Sequence, residues 1–286
     1  MKHFDQNLQK IDISNDKISN KEVNVDDFFP KSIICMTEES VETLYLIGKQ
    51  DLIAGVSSFV ERPLEAKSKP VVSVFTHANL KKIVDMKPDL VLGFSDIQKD
   101  IAKDLIGLGL NVFIANHRSI DGILSYVQML GNLVDAKAET SKLLSQLKSK
   151  IDHAKSLSAS QKYRPKVYIE EWDNPMICGI EWFSELVELC GGDVVHMDKS
   201  RSSLAKDRIL EASDIAQYNP DIILACWCGK KVQIGTILER DGFSKINAVK
   251  NHHVYELDPA IFLQPGPAPI LDGIDILLEL FEKLRG

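Results

Sequence analysis

The sequence lacks the features that mark several classes of protein. Its 286 residues include only five cysteines, an odd number in a chain long enough to form a core without covalent links. No run reaches the roughly 18 consecutive apolar residues of a membrane-spanning helix. The 34 lysines and arginines are outnumbered by 41 aspartates and glutamates, so no basic surface is expected to neutralise phosphates. The composition therefore argues against a disulfide-stabilised scaffold, a membrane-spanning protein and a nucleic-acid partner.

The first 29 residues have neither the apolar stretch nor the small-residue cleavage site of a secretory signal. We interpret residues 1–29 as a polar N-terminal extension. The chain as printed is therefore expected in the cytoplasm with reduced thiols, or in the periplasm or on a lipid anchor if a signal has been removed. No glycine-rich nucleotide-binding motif occurs, which weakens a role in nucleotide chemistry.

What the sequence does contain is a repeated pattern of helix, proline and strand. Residues 79–94 and 212–226 each combine an amphipathic segment, an X-Pro-Asp triplet and an apolar run. The proline ends the helix, and a wholly apolar strand is typical of a parallel sheet that is buried on both faces. Two copies far apart in the chain predict two similar α/β lobes.

Between the two copies, residues 119–160 have apolar side chains at helical spacing and almost no strand-like sequence. We interpret this region as a long helical connection. The predicted fold class is α/β, with two lobes that have parallel-type central sheets. The predicted boundaries are an N-terminal lobe at 30–118, a linking helical region at 119–160 and a C-terminal lobe at 161–286.

Candidate ligand-binding residues are those that follow the apolar runs, because ligands bind beyond the carboxyl ends of parallel strands. All three tryptophans are among them, and a cleft with aromatic walls and a few polar groups suits a large, partly apolar ligand. The candidates of the first lobe are Thr37, Glu38, Arg62, Phe75, Thr76, His77, Ser95, Asn116 and Arg118. Those of the second lobe are Glu171, Trp172, Trp182, Trp227, Cys228 and Gln264.

The candidates divide into apolar faces and orienting groups. A single tryptophan packs in a core about as often as it binds a ligand, so the convergence of three carries the prediction. Glu170 and Glu171 would point to opposite faces of an extended segment, and only Glu171 is expected in the cleft. The expected apolar faces are Trp172, Trp182, Trp227 and Phe75. The expected orienting groups are His77, Arg118, Glu171 and Gln264.

Metal and thiol chemistry remain as alternatives. His77 and His117 would form a three-ligand zinc or manganese site with Glu171, although lone histidines at loop ends are more often structural. The Cys-X-Cys motif at Cys226 and Cys228 lacks the two-residue spacer of zinc knuckles. A thiol nucleophile at Cys228 has no catalytic signature beside it. No cofactor is firmly implied.

Four segments follow one another in a characteristic order from Pro30 onward. They read PKSIICMTEESVETLYLIGKQDLIAGVSSFVERP, NLKKIVDMKPDLVLGF, FSELVELCGGDVV and DIAQYNPDIILACW. In this order they resemble the helical-backbone substrate-binding proteins of ABC importers, which carry cobalamin, haem and ferric siderophores. The resemblance implies two lobes joined by a single long helix, and binding without chemistry.

The run from Glu170 to Gly192, EEWDNPMICGIEWFSELVELCGG, is most similar to the cobalamin-binding members of that family. The resemblance thus implies a corrinoid or another large metal chelate as the bound small molecule. Haem, ferric siderophores and bare metals remain open as ligands. An enzyme recruited onto the same scaffold is the alternative from a different functional class.

The resemblance also bears on a membrane partner. Members that dock onto an importer present one glutamate on each lobe to arginines of the permease, and here Lys81 and Ser213 stand at those positions. A lysine repels an arginine, so the usual docking pairs are expected to be absent. The sequence therefore predicts a relative that keeps the cleft without serving a transporter, with a conventional importer receptor as the alternative.

Overall fold

The structure is a computed structural model that describes residues 29–285. The predicted N-terminal extension, apart from Phe29, lies outside the described residues. The strands are β1 Ile33–Cys35, β2 Ile53–Ser57, β3 Val71–Ser73, β4 Leu90–Phe94, β5 Val112–Ala115, β6 Lys166–Asp173, β7 Met176–Cys178, β8 Asp193–Val194, β9 Ile222–Ala225 and β10 Val254–Glu256. The helices are α1 Glu38–Leu46, α2 Leu80–Asp85, α3 Lys99–Gly107, α4 Ile120–Leu133, α5 Lys137–Ala159, α6 Glu181–Leu189, α7 Met197–Ser200, α8 Ala212–Tyr218, α9 Ile234–Leu238, α10 Asn247–Lys250, α11 Pro259–Phe262 and α12 Ile274–Arg285.

The strands form two sheets, one in each lobe. The first sheet has the order β3-β2-β1-β4-β5, and all its pairs are parallel. The second has the order β10-β9-β6, with β8 parallel to the start of β6 and β7 antiparallel to its end. The predicted fold class, two α/β lobes with parallel-type sheets, is confirmed.

A continuous hydrophobic core connects the two lobes. It includes Ile33 of β1 and Ile169 of β6, together with Leu147 of α5 and Phe281 of α12. Alternate residues of each strand face the other way, so Tyr168 belongs to a separate cluster on the outer side of the second sheet. Strands buried on both faces explain why the corresponding runs are wholly apolar.

The predicted linking region contains two helices rather than one. A turn separates α4 from α5, and Asp135 within it adopts a positive φ of 49°. A Cβ atom on Gly131 would lie 1.9 Å from the Thr140 hydroxyl, so this glycine allows α4 and α5 to approach closely. The 23-residue helix α5 makes the long connection and packs against α6 and α12.

The sequence repeat corresponds to a structural repeat. In each copy a short helix precedes a strand that pairs with the first strand of its lobe: α2 and β4 beside β1, and α8 and β9 beside β6. Lys87 and Asn219, the residues before the two prolines, both adopt left-handed conformations, with φ of 50° and 47°. Proline disfavours the right-handed helical conformation in the residue before it, so both helices end there.

Candidate functional site

The carboxyl ends of the two sheets face each other across a cleft. A methyl group added to Gly229, after β9, would lie 3.9 Å from the ring of Phe59, after β2. The pKa of the Cys228 thiol is raised by partial desolvation of the sulfur and also by the negative charge of Glu38 in the opposite lobe. Loops from both lobes therefore line the cleft.

Ten of the fifteen predicted ligand-binding residues keep solvent-accessible surface. They differ from the other candidates in that a ligand can reach them without rearrangement of the core. Glu38, Arg62, Phe75, Arg118, Glu171 and Trp172 are half-buried, and Thr76, His77, Asn116 and Cys228 are exposed.

The wall of the second lobe is built around an ion pair between Glu171 and Arg208. A guanidinium nitrogen of Arg208 lies 2.7 Å from the Glu171 carboxylate and also donates to the Cys178 carbonyl. The other carboxylate oxygen of Glu171 accepts a bond of 2.7 Å from the Ile180 amide. Glu171 thus serves to hold Arg208, whose side chain is only 6% exposed. Sequence reasoning missed Arg208, since no apolar run precedes it.

The facing wall of the first lobe carries a second arginine. Arg118, after β5, donates to Asp96 at 3.1 Å, and its guanidinium carbon lies 5.4 Å from the centre of the Phe94 ring. Burial lowers the pKa of Arg118, Asp96 opposes that effect, and the charge of Arg208 adds to it. The charge of Arg208 thus acts on Arg118 from the other lobe, while each arginine pairs with a carboxylate of its own lobe.

Trp172 is the half-buried tryptophan of the cleft. Its indole nitrogen donates to the Asn174 carbonyl at 3.0 Å, and the Lys230 ammonium lies 4.0 Å from its ring centre. Lys230 also forms an ion pair of 2.5 Å with Asp173. The lysine is therefore held over the indole, an arrangement that cation–π attraction stabilises.

The other two tryptophans are core residues, so the expectation that they present faces to a ligand is wrong for this structure. Trp182 is 4% exposed and donates to the Phe262 carbonyl at 3.1 Å. Trp227 is 1% exposed and donates to Glu170 at 3.0 Å. Each indole N–H finds an acceptor inside the protein, which allows the whole ring to be buried.

Glu170, which was not expected in the cleft, is fully buried in the second lobe. Its two carboxylate oxygens accept bonds of 2.5 and 2.9 Å from Arg240. Tyr168 and Trp227 donate to the same carboxylate. A buried carboxylate is tolerated when it is paired and hydrogen-bonded in this way.

Two more predicted residues have structural partners. Arg62 bridges α1 and the segment before α12, since it donates to Glu42 at 3.1 Å and to Asp272. The buried Ser95 hydroxyl caps a turn by accepting from the Ile97 amide at 3.3 Å. Ser95 is thereby buried away from a ligand, whereas Arg62, with 32% of its side chain exposed, is held by its two carboxylate partners.

The remaining two buried candidates, Thr37 and Gln264, lie beneath the cleft. Thr37 is 1% exposed and donates to the Glu39 carboxylate at 2.5 Å. Gln264 donates to the Ala260 carbonyl, and its own side-chain carbonyl has no partner among residues 29–285. Thr37 is therefore buried away from a ligand, and Gln264 is not positioned to orient one as expected.

Two adjacent carboxyl groups near the cleft are protonated more readily than usual. Burial raises the pKa of Glu38 to about 7 and that of Glu39 to about 8. Their mutual repulsion, and that between Glu38 and Glu61, adds to the effect. The first turn of α1 therefore carries less negative charge near neutral pH than its sequence implies.

The predicted metal ligands do not converge. His117 is hydrogen-bonded to the Pro265 carbonyl at 2.7 Å, and His77 to Thr76 at 2.9 Å. Within the described part of the chain, no three His, Cys, Asp or Glu side chains lie close enough to hold a metal ion. Desolvation of the sulfur raises the pKa of both the buried Cys226 and the more exposed Cys228, so neither thiol is activated as a nucleophile.

A cavity of about 560 Å³ lies beside β5 at the edge of the first sheet. Ser95, Asp96 and Asn116 line it together with the outer face of α3. A second cavity, of about 640 Å³, lies at the opposite end of the second lobe, near Lys166 and Tyr218. In the range 29–285, no helix is both long and apolar enough to span a bilayer.

Comparison with known proteins places this architecture in a family. A model of the family "Periplasmic binding protein" matches residues 33–261. The chain is 27% identical over 282 residues to the uncharacterized ABC transporter substrate-binding lipoprotein YvrC of Bacillus subtilis, covering 96% of this chain and 87% of YvrC. It is 24% identical over 244 residues to the high-affinity heme uptake system protein IsdE of Staphylococcus aureus, covering 80% and 77%.

Among solved structures, the periplasmic vitamin B12 binding protein BtuF of Vibrio cholerae has a TM-score of 0.72 and 19% identity. The alignment covers 90% of this chain and 98% of BtuF, so the two share a fold. These relatives are substrate-binding proteins and not enzymes. With its family match extending over most of the described residues, the chain belongs to the periplasmic binding protein family.

Proposed function

We propose that this protein binds a large metal chelate, such as a corrinoid, haem or a ferric siderophore, in the cleft between its lobes and performs no chemistry on it. The observation that carries the proposal is that the cleft contains both a half-buried indole, Trp172, and two arginines held by ion pairs, Arg118 and Arg208. An aromatic face suits a ring, and fixed N–H donors suit its polar rim. Relatives named for heme and for vitamin B12 support this class of ligand.

The cysteine-based enzyme is the weaker alternative. Both thiols near the cleft are protonated at neutral pH, and a thiol is a poor nucleophile compared with a thiolate. Since His117 and His77 are hydrogen-bonded elsewhere, neither is positioned as the base for Cys228. Binding without chemistry accounts for the cleft more directly.

The absence of the usual docking pairs with an ABC permease remains a prediction, and it rests on two departures from the family pattern. The Lys81 side chain is 85% exposed and pairs with Asp85 at 2.5 Å, and Ser213 is exposed on α8. A permease that docks at these positions would have to present an acidic group to Lys81. Relatives described as lipoprotein or periplasmic favour the importer receptor, which was the alternative from the sequence, over the predicted cytoplasmic relative.

The test is an equilibrium titration with cyanocobalamin, cobinamide, haemin, ferric siderophores and zinc. Binding is followed by the absorbance of each coloured ligand, so that the result does not depend on tryptophan, and for zinc by calorimetry. Saturable binding of one chelate at micromolar or lower concentration would support the proposal. A folded sample that binds none of the chelates, or binds only zinc, would refute it.

A further inference from the structure

We propose that the end of the second sheet carries a subsite for the ammonium group of a ligand, and that Lys230 occupies this cation subsite until the ligand displaces it. The walls of the cation subsite are Trp172, Trp227 and Asp173. The inference rests on the proposed function in one respect, because the molecule that carries the ammonium is a chelate held in the cleft.

Two indoles and a carboxylate surround the ammonium of Lys230. Its nitrogen lies 4.0 Å from the ring centre of Trp172 and 4.9 Å from that of Trp227. Asp173 accepts a hydrogen bond of 2.5 Å from the same nitrogen. The negative face of an indole attracts cations, and cages of aromatic rings are used to recognise ammonium ligands. The side chain of Lys230 therefore marks a place where an ammonium group binds.

The three walls come from two neighbouring strands. Trp172 and Asp173 end β6, and Trp227 is the second residue after β9. Because β6 and β9 pair in parallel, these residues emerge at the same end of the sheet. The loop after β9 also contains Gly229, whose added methyl group would lie 3.9 Å from the ring of Phe59 in the other lobe. The cation subsite therefore lies at the mouth of the cleft.

Both indoles are held by bonds that do not involve Lys230. The indole nitrogen of Trp172 donates to the Asn174 carbonyl, and that of Trp227 donates to Glu170, each at 3.0 Å. These bonds fix the rings from their edges and leave the ring faces to the cation. The two aromatic walls are therefore expected to keep their positions when the lysine leaves.

Lys230 is a replaceable occupant. It lies in an exposed loop, residues 228–231, and its side chain is 38% exposed, with that of Asp173 24% exposed. A partly exposed ion pair contributes little to stability because water competes for both charges, and ordering a long lysine side chain costs entropy. A ligand ammonium would take over the contacts with the indoles and the carboxylate, while the lysine ammonium returns to water.

The ligand class that fits the cation subsite is a metal chelate with a protonated amine. Some hydroxamate siderophores end in a primary ammonium group, whereas haem and cobalamin carry none. Among the chelates of the proposed function, the cation subsite therefore favours an amine-bearing ferric siderophore.

The first experiment probes the cation subsite with tetramethylammonium alone, at an ionic strength held constant with sodium chloride. Lys230→Ala vacates the subsite, and we expect its tryptophan fluorescence to show saturable binding in the millimolar range. The parent should bind at least about 10-fold more weakly, because its own lysine competes. Adding Asp173→Asn to Lys230→Ala should weaken binding about 3-fold.

Lys231→Ala is the matched control, since it removes the neighbouring exposed lysine and leaves the cation subsite occupied. It should bind tetramethylammonium as weakly as the parent. Circular dichroism checks the fold of each variant, and Lys230→Ser replaces Lys230→Ala if the latter fails to fold. No saturable binding in a folded Lys230 variant, or equal binding in Lys231→Ala, would overturn the cation subsite.

The second experiment compares two chelates that differ only in the amine. Ferrioxamine B ends in a primary ammonium group, and its N-acetyl derivative has a neutral amide there. Equilibrium dialysis measures both through the absorbance of the ferric centre. We expect the ammonium form to bind about 3-fold more tightly in the parent and about 10-fold more tightly in Lys230→Ala, where no lysine competes. Equal affinities in both proteins would overturn the use of the cation subsite by a chelate.

The outcomes separate this inference from the proposed function. Binding of tetramethylammonium to Lys230→Ala without binding of either ferrioxamine would support the cation subsite and exclude this siderophore as the ligand. Binding of haemin or cyanocobalamin by a protein whose Lys230→Ala variant does not bind tetramethylammonium would overturn the cation subsite while chelate binding stands. Failure of every chelate and of tetramethylammonium to bind would overturn both.

Discussion

Asp89 and Asp221 perform the same structural task in the two lobes. Asp89 accepts bonds of 2.8 and 2.9 Å from the Lys31 and Ser32 amides, just before β1. Asp221 accepts a bond of 3.0 Å from the Lys166 amide at the start of β6. The aspartate of each X-Pro-Asp triplet thus fixes the first strand of its lobe.

Replacing Asp221 is expected to destabilise the second lobe. The carboxylate also accepts from the Tyr163 hydroxyl and the Asn247 amide, so Asp221→Ala removes three bonds. We expect a loss of about 2 kcal/mol in the free energy of unfolding, measured by urea denaturation. Asp85→Ala, which breaks only an exposed helix pair, is the control and should change stability by about 0.5 kcal/mol or less. A smaller effect at Asp221 than at Asp85 would contradict the assigned role.

Tryptophan fluorescence should report ligand binding through one residue. Trp172 is half-buried in the cleft, whereas Trp227 is 1% exposed behind Glu170. The Trp172→Phe variant is therefore expected to lose most of the short-range quenching seen on binding, and Trp227→Phe to keep it. Energy transfer to a coloured ligand acts on all tryptophans and is corrected by comparing the two variants. Equal quenching in both would place the ligand elsewhere.

His196 should make stability decrease in acid. It is 2% exposed, its Nε2 accepts from the Ile169 amide at 3.0 Å, and burial lowers its pKa to about 3. Near pH 6.5 the unfolded chain binds a proton at His196 that the folded chain does not bind. The contribution of neutral His196 to stability is therefore complete above pH 6.5 and decreases towards pH 3.

The His196→Gln variant tests this dependence. Between pH 6 and 4 it should show a shallower decrease in the free energy of unfolding, by about 1.4 kcal/mol per pH unit at most. His153→Asn, at an exposed position on α5, serves as control and should leave the slope unchanged. Parallel curves for the parent and His196→Gln would argue against a neutral buried histidine.

Glu39 should have the opposite effect. Because its folded pKa is raised to about 8 from 4.5, the folded chain holds a proton that the unfolded chain releases. Its contribution to stability is therefore complete below pH 4.5 and is lost as the pH rises to 8. Glu39→Gln keeps the acceptor for Thr37 and is expected to be more stable than the parent at pH 8, measured by urea unfolding. Glu139→Gln, exposed on α5, is the control, and a parent-like result for Glu39→Gln would refute the prediction.

The local pattern of the sequence was sufficient to predict the lobes. The proline of each X-Pro-Asp triplet acts on its immediate neighbours, and an apolar run buried on both faces needs no knowledge of its partner strand. The two lobes, the parallel sheets and the helical connection could therefore be predicted. The break between α4 and α5 was missed because Asp135 adopts its positive φ without a glycine or proline to signal it.

The candidate site depended on contacts between residues far apart in the chain. Strand-end logic found Arg118, Glu171 and Trp172, but Arg208 reaches Glu171 across 37 positions of sequence. The sequence alone could not distinguish Trp172 from Trp227, because burial depends on whether an acceptor such as Glu170 lies within reach. The order of residues by itself determined the elements and the family resemblance. Only the tertiary structure decided which side chains face the cleft, since that depends on packing between lobes.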